Sequence, residues 1–218
     1  MNEYHLNEVE SRVLGALLEK EMSTPEYYPL TLKALTAACN QKSNREPVME
    51  LDEETVVRGL DGLKGKHLVV QSDASRVPRY EEIFTRQHKL VNRESAVICL
   101  LLLRGPQTIG ELRGRSERLY GFASLEEVEE VLENLAEMAF LRKLPRQPGQ
   151  KECRYAHLLA GEIADPVVAT PSARPEEATV RVRAENERLV ELEREVLAVR
   201  EELAELRQAF VDFRAQFE

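Results

Sequence analysis

The sequence predicts a mainly α-helical protein with small β-hairpins, made of one structural unit used twice and followed by a long amphipathic helix. Three observations predict this. Capped helices with apolar spacing of three and four residues recur in the order helix, helix, helix, hairpin, and that order then repeats. A stretch rich in Pro and Ala, with Pro166, Pro171 and Pro175, interrupts the pattern. Beyond it an unbroken apolar seam runs to Phe217.

The spacing predicts a first helix that starts at a capping box, Asn7 with Glu10, and carries Val9, Val13, Leu14, Leu17 and Leu18 at helical spacing. Pro25 and Pro29 end the pattern. A second helix is expected from about Thr31 to Cys39, then a polar loop through Asn40-Gln41-Lys42-Ser43-Asn44-Arg45. A third helix begins near Asp52 with Val56, Val57, Leu60 and Leu63, and LVVQSD with VPRYEEIF reads as a two-stranded hairpin. The second set follows the same plan: a helix over 92–104, a T-x-x-E box at Thr108 and Glu111, a helix capped at Ser124 and Glu127, and a hairpin around Pro148-Gly149. Leu60 and Leu63 align with Leu132 and Leu135, and Arg79-Tyr80 with Arg154-Tyr155. Three helices and a β-hairpin form a winged helix-turn-helix, so the expectation is two in tandem. The expected divisions are 1–87 and 88–160 for the two domains, 161–178 for a linker and 179–218 for a coiled-coil helix.

In the terminal helix, Leu189, Leu192, Val196, Val199, Leu203, Leu206, Phe210 and Phe213 alternate at three and four residues. With Leu189 at heptad position a, the flanking pairs Arg188–Glu193, Glu195–Arg200 and Glu202–Arg207 are opposite in sign, as a parallel homodimer requires. A helix folded back on a winged-helix domain, or one gripping a partner, is the alternative.

Composition narrows the function. The 218 residues carry 30 Lys+Arg and 39 Asp+Glu, a net charge of −9. The net charge is −4 over 1–87, +1 over 88–160 and −6 over 161–218. A net acidic chain is a poor general polyanion binder, so any DNA contact must come from a local patch. No apolar run approaches the ~20 residues that span a bilayer. The opening MNEYHLNEVE is acidic and polar, unlike a secretory signal. Cys39, Cys99 and Cys153 are odd in number and far apart, which fits reduced thiols in a cytoplasm.

The segments LNEVESRVLGALLEKEMSTPEYYPLTLKALTAACNQKSNREPVMEL, LLLLRGPQTIGELRGRSERLYGF and LPRQPGQKECRYAHLL resemble the YceH family of bacterial proteins over about residues 6–159. The resemblance implies two winged-helix domains in a bacterial cytoplasmic protein. The resemblance carries no established biochemistry, so it implies no activity and supplies no catalytic residues.

No catalytic set is legible. His5, His67, His88 and His157 are scattered, no Cys pair has metal-ligand spacing, and no phosphate-binding glycine loop is present, so neither cofactor nor metal is expected. Cys39 and Cys99 lie on apolar helical faces and read as core residues. The leading expectation is a dimeric, transcriptional-regulator-like protein whose partner is double-stranded DNA, with dimer symmetry favouring a palindromic site. Lys42, Asn44, Arg45 and Arg58 are the candidate contacts in the first domain, with Arg113, Arg115, Arg142, Lys143, Arg146 and Lys151 in the second. The loop at 40–45 reads equally well as an amide-rich segment that caps neighbouring helix ends. The third helix of the second domain bears Glu126, Glu127, Glu129, Glu130, Glu133 and Glu137 and no Lys or Arg between Ser124 and Met138. Phosphates would repel it, so it is not expected to read bases. The alternative function is a protein-interaction adaptor in which Glu126, Glu129, Glu130 and Glu133 meet a basic partner.

Overall fold

The computed structural model describes residues 4–72, 77–146 and 152–161. The predicted linker from residue 162 onward and the helix with its dimer seam lie outside the described residues. The chain is mainly helical, with seven α-helices and two small antiparallel sheets among the described residues. The helices are α1 (Glu8–Ser23), α2 (Leu32–Cys39), α3 (Glu53–Gly65), α4 (Phe84–His88), α5 (Asn92–Arg104), α6 (Ile109–Ser116) and α7 (Leu125–Glu137). The strands are β1 (Leu30–Thr31), β2 (Val69–Ser72), β3 (Arg79–Glu82), β4 (Leu141–Lys143) and β5 (Tyr155–His157).

Capping chemistry places the helix starts. The Asn7 side chain accepts from the Glu10 amide at 2.8 Å, and the Glu10 carboxylate accepts from the Asn7 amide at 2.8 Å. Thr108 and Glu111 form the same reciprocal box at α6. Asp52 caps α3 and Ser124 caps α7, each accepting from the amide three residues on. The Glu127 side chain does not return to Ser124; it bonds the Ala123 amide and the Tyr120 hydroxyl.

α1 is the spine. From Glu10 to Glu19 every residue is buried, and α1 packs on α2, α3 and α5. A helix buried on all sides departs from the one-sided amphipathic pattern. Its polar residues must therefore be satisfied inside the protein. Against α5 the packing is tight at Gly15: a methyl group there would lie 2.9 Å from Leu103 Cγ and 3.1 Å from Leu102 Cβ. One hydrophobic core runs through both sets of helices, from Leu14 and Leu17 to Ile98, Leu101, Val131 and Leu135.

The two sets share a device at the entry to their second helix. β1 pairs with β3, Leu30 opposite Tyr80, and Gln107 forms a single bridge with Tyr155. Arg79 Nη1 donates to the Pro29 carbonyl at 2.7 Å, and Arg154 Nη1 donates to the Pro106 carbonyl at 2.8 Å. Thr31 and Thr108, two residues after these prolines, cap α2 and α6. The aligned Arg-Tyr pairs thus clamp equivalent Pro-x-Thr segments.

The structure corrects the first hairpin. The strand predicted through Phe84 stops at Glu82, and a short helix, α4, follows. The buried Glu82 carboxylate accepts from the Thr85 amide at 3.0 Å and from its hydroxyl, which turns the chain as an N-cap does. Phe84 is then fully buried, its ring 5.2 Å from that of Phe140.

Candidate nucleic-acid interface

Arg45 is not a surface residue. Its side chain is 0% exposed, and its Nη1 and Nη2 donate to the two Glu19 oxygens at 3.2 and 2.6 Å. Nε and Nη2 also donate to the Ala38 carbonyl at 3.2 and 2.8 Å. Arg45 therefore caps the C-terminal end of α2 and neutralises a buried carboxylate of α1. It has no donor left for a phosphate. Burial works against ionisation of Glu19, yet the hydrogen bonds and charge of Arg45, with Lys20 beside it, hold the carboxyl below its ordinary range.

The rest of the loop divides. Asn44, in the left-handed region at φ 59°, accepts from Arg104 Nη1 at 3.1 Å. Asn40 binds both the amide and the carbonyl of Leu51. Asn40 and Asn44 thus bond within the fold. Lys42 is exposed. On α3, Arg58 is exposed, with only a 3.3 Å contact to Thr55 and a 3.9 Å approach to Glu54.

The second set spends part of its positive charge internally. Arg113 donates to the Ala123 carbonyl at 3.0 Å, tying α6 to the turn before α7. Arg115 donates to Gln107 Oε1 at 2.9 Å and pairs with Glu111 at 3.3 Å. Arg154 pairs with the same Glu111 at 2.9 Å. On the second hairpin, Lys143 is exposed with its ammonium 5.8 Å from the centre of the Tyr155 ring, Arg146 is exposed and Arg142 is half-buried. Lys151 lies outside the described residues.

The structure brings the polar loop of the first set to the end of α5. Arg104 reaches Asn44, and Arg118, just after α6, comes within 3.9 Å of Glu19. The hairpin cations project from β4 and its following loop.

The acidic alternative surface is a single helix face. Val128, Val131, Leu132 and Leu135 are buried, while Glu126, Glu129, Glu130 and Glu133 are exposed. Glu130 pairs with Arg93 at 3.0 Å. The eight seam residues predicted for dimerisation, Leu189 to Phe213, fall outside the described residues.

Two features were not anticipated. A cleft of about 400 Å³ lies between α1, the 46–49 segment, the end of α5 and β5, with Arg12, Ser11 and His157 in its walls. Its residues are dispersed over the sequence, so spacing carries no signal of it. The second feature is a carboxyl pair: Glu21 hydrogen-bonds Glu82, and burial with this neighbour pushes the Glu21 carboxyl up to about 8. Among the described residues no group of three His, Cys, Asp or Glu is placed to hold a metal ion. No described helix is long and apolar enough to cross a membrane. Cys39 and Cys99 are buried, and burial pushes the Cys39 thiol up to about 12.

A family model described as "Protein of unknown function, DUF480" matches residues 6–150. A UPF0502 protein of Geobacter sulfurreducens is 57% identical over 216 residues, covering 98% of both chains. A UPF0502 protein of Solibacter usitatus is 50% identical over 217 residues, covering 99% of this chain and 100% of its own. A UPF0502 protein of Photobacterium profundum is 46% identical over 208 residues, covering 91% and 93%.

Proposed function

We propose, for this chain, which belongs to the DUF480 family, a non-catalytic role as a dimeric, cytoplasmic winged-helix protein that binds the backbone of double-stranded DNA. In this reading the YceH resemblance and the DUF480 match describe one family. Each set of three helices and a hairpin is a winged helix-turn-helix, and the Arg79 and Arg154 clamps on equivalent Pro-x-Thr segments support that equivalence.

The observation that carries the DNA reading is the second hairpin. Arg142, Lys143 and Arg146 lie within five residues on β4 and the loop after it, and no acidic residue lies among them. Such a wing suits phosphates along a groove. The contacts are to backbone, because α7 presents carboxylates where a recognition helix presents donors to bases. Lys42 and Arg58 extend the contact in the first set, while Arg45 takes no part.

The test is fluorescence anisotropy of full-length protein on a duplex of arbitrary sequence. Arg142→Ala with Arg146→Ala should lower affinity about tenfold or more and reduce the salt slope by roughly two. Unchanged affinity and slope would remove the hairpin from the interface.

The exposed acidic face of α7 favours a second reading, a docking module for a basic protein. Glu129→Lys with Glu133→Lys would then abolish capture of that partner and leave the DNA salt slope in place.

A further inference from the structure

Arg12 is a buried guanidinium without a counter-charge. It sits at the start of the second turn of α1 and is 2% exposed. Nη1 donates to the Cys39 carbonyl at 3.0 Å and Nη2 to the Pro47 carbonyl at 2.6 Å, while Nε has no partner. No carboxylate among the described residues forms an ion pair with it. The other buried guanidinium, Arg45, holds Glu19 and adds to the repulsion at Arg12. Burying an ion without its counter-ion is costly unless something compensates.

Arg12 forms part of the wall of the cleft between α1, the 46–49 segment, α5 and β5. His157 stands in the same wall, with a buried Nδ1 that has no partner. Leu6, Leu101 and Leu102 supply apolar surface, and Ser11 a hydroxyl. Glu8 and Glu46 also line it, but both are exposed, so water screens their charge. The cleft of about 400 Å³ falls within the range of small-molecule sites. An apolar chamber with one uncompensated cation matches a ligand that carries one negative group on an apolar body.

We propose that this cleft binds a small apolar monocarboxylate, its carboxylate supplying the counter-charge to Arg12 beside Ser11 and His157, its body lying on Leu6, Leu101 and Leu102. α1 and the 46–49 segment belong to the first set of elements, α5 and β5 to the second. The ligand therefore bridges the two sets and touches the returning strand of the second hairpin. This inference stands whether or not the hairpin binds DNA.

The test is calorimetric titration of full-length protein near neutral pH with 1-naphthoate and, separately, with 1-naphthamide, which has the same body without the charge. Naphthoate is expected to bind with Kd below about 1 mM, and the amide at least about tenfold more weakly. Met49→Trp, which fills the cleft from its wall without removing a core side chain, should weaken naphthoate about tenfold or more while leaving the melting temperature near that of the parent. Absence of naphthoate binding, equal binding of the amide, or undiminished binding by Met49→Trp would each overturn the proposal.

Discussion

Arg45 donates to both carboxylate oxygens of Glu19, at 3.2 and 2.6 Å, with the Arg45 side chain 0% and the Glu19 side chain 5% exposed. The pair locks the loop after α2 onto α1. Arg45→Met leaves the Glu19 carboxylate buried without its guanidinium, which should cost about 3–5 kcal/mol of stability. Glu19→Leu combined with Arg45→Met removes both charges and should recover much of that loss. Urea denaturation of the parent, both single variants and the double variant gives the coupling. A stable Arg45→Met variant that loses only DNA affinity would return Arg45 to the interface.

Gly15 tests the packing of the two sets of elements. Gly15→Ala gains helix propensity of about 1 kcal/mol, since Gly is the poorer helix former. Its methyl would sit 3.1 Å from Leu102 Cβ, which cannot move without its backbone. Overpacking of this kind typically costs about 1–3 kcal/mol. The net expectation is a lower melting temperature, read by calorimetry. A higher one would mean that α1 and α5 can separate freely.

Stability should depend on pH from both sides. Glu21 has its carboxyl pushed up to about 8, from an ordinary 4.5, by burial and by Glu82. The folded state therefore keeps a proton that the unfolded state releases. Stability falls as pH rises from about 4.5 to about 8. His157 has its imidazole lowered by burial to about 4, from an ordinary 6.5. Its contribution is whole above about 6.5 and is lost as pH falls toward about 4. Melting temperatures across this span should show Glu21→Gln flattening the alkaline side alone.

The seam from Leu189 to Phe217 should pair two copies of the chain. Sedimentation equilibrium of the full chain is expected to give twice the 24.9 kDa chain mass. Val199→Lys with Leu203→Lys should give the single-chain mass. A concentration-independent monomer in the parent would exclude the dimer.

The sequence makes local structure legible where short-range chemistry decides it. The boxes Asn7–Glu10 and Thr108–Glu111, and the caps at Asp52 and Ser124, lie where spacing places them. What it hides is set by long-range burial. Arg45 has the sequence context of a loop cation, and only the folding of α1 into the centre brings Glu19 to it. Glu19 follows Leu17 and Leu18 and carries no local mark of being buried. The start of α4 carries no local signal, because it depends on Glu82, a strand-end residue whose carboxylate accepts from the Thr85 amide. Arg12 lies opposite the apolar face that helical spacing gives α1, so its buried charge and the cleft beside it appear only in three dimensions.

The most direct measurement is retention of genomic DNA fragments by the purified full-length protein at about 150 mM salt, with sequencing of the bound pool. Retention without an enriched motif is expected, because the basic hairpin grips phosphates and the acidic α7 reads no bases. No retention at this salt would contradict DNA binding and leave the acidic face of α7 as the working surface. An enriched inverted repeat would contradict the claim that the contacts are to backbone.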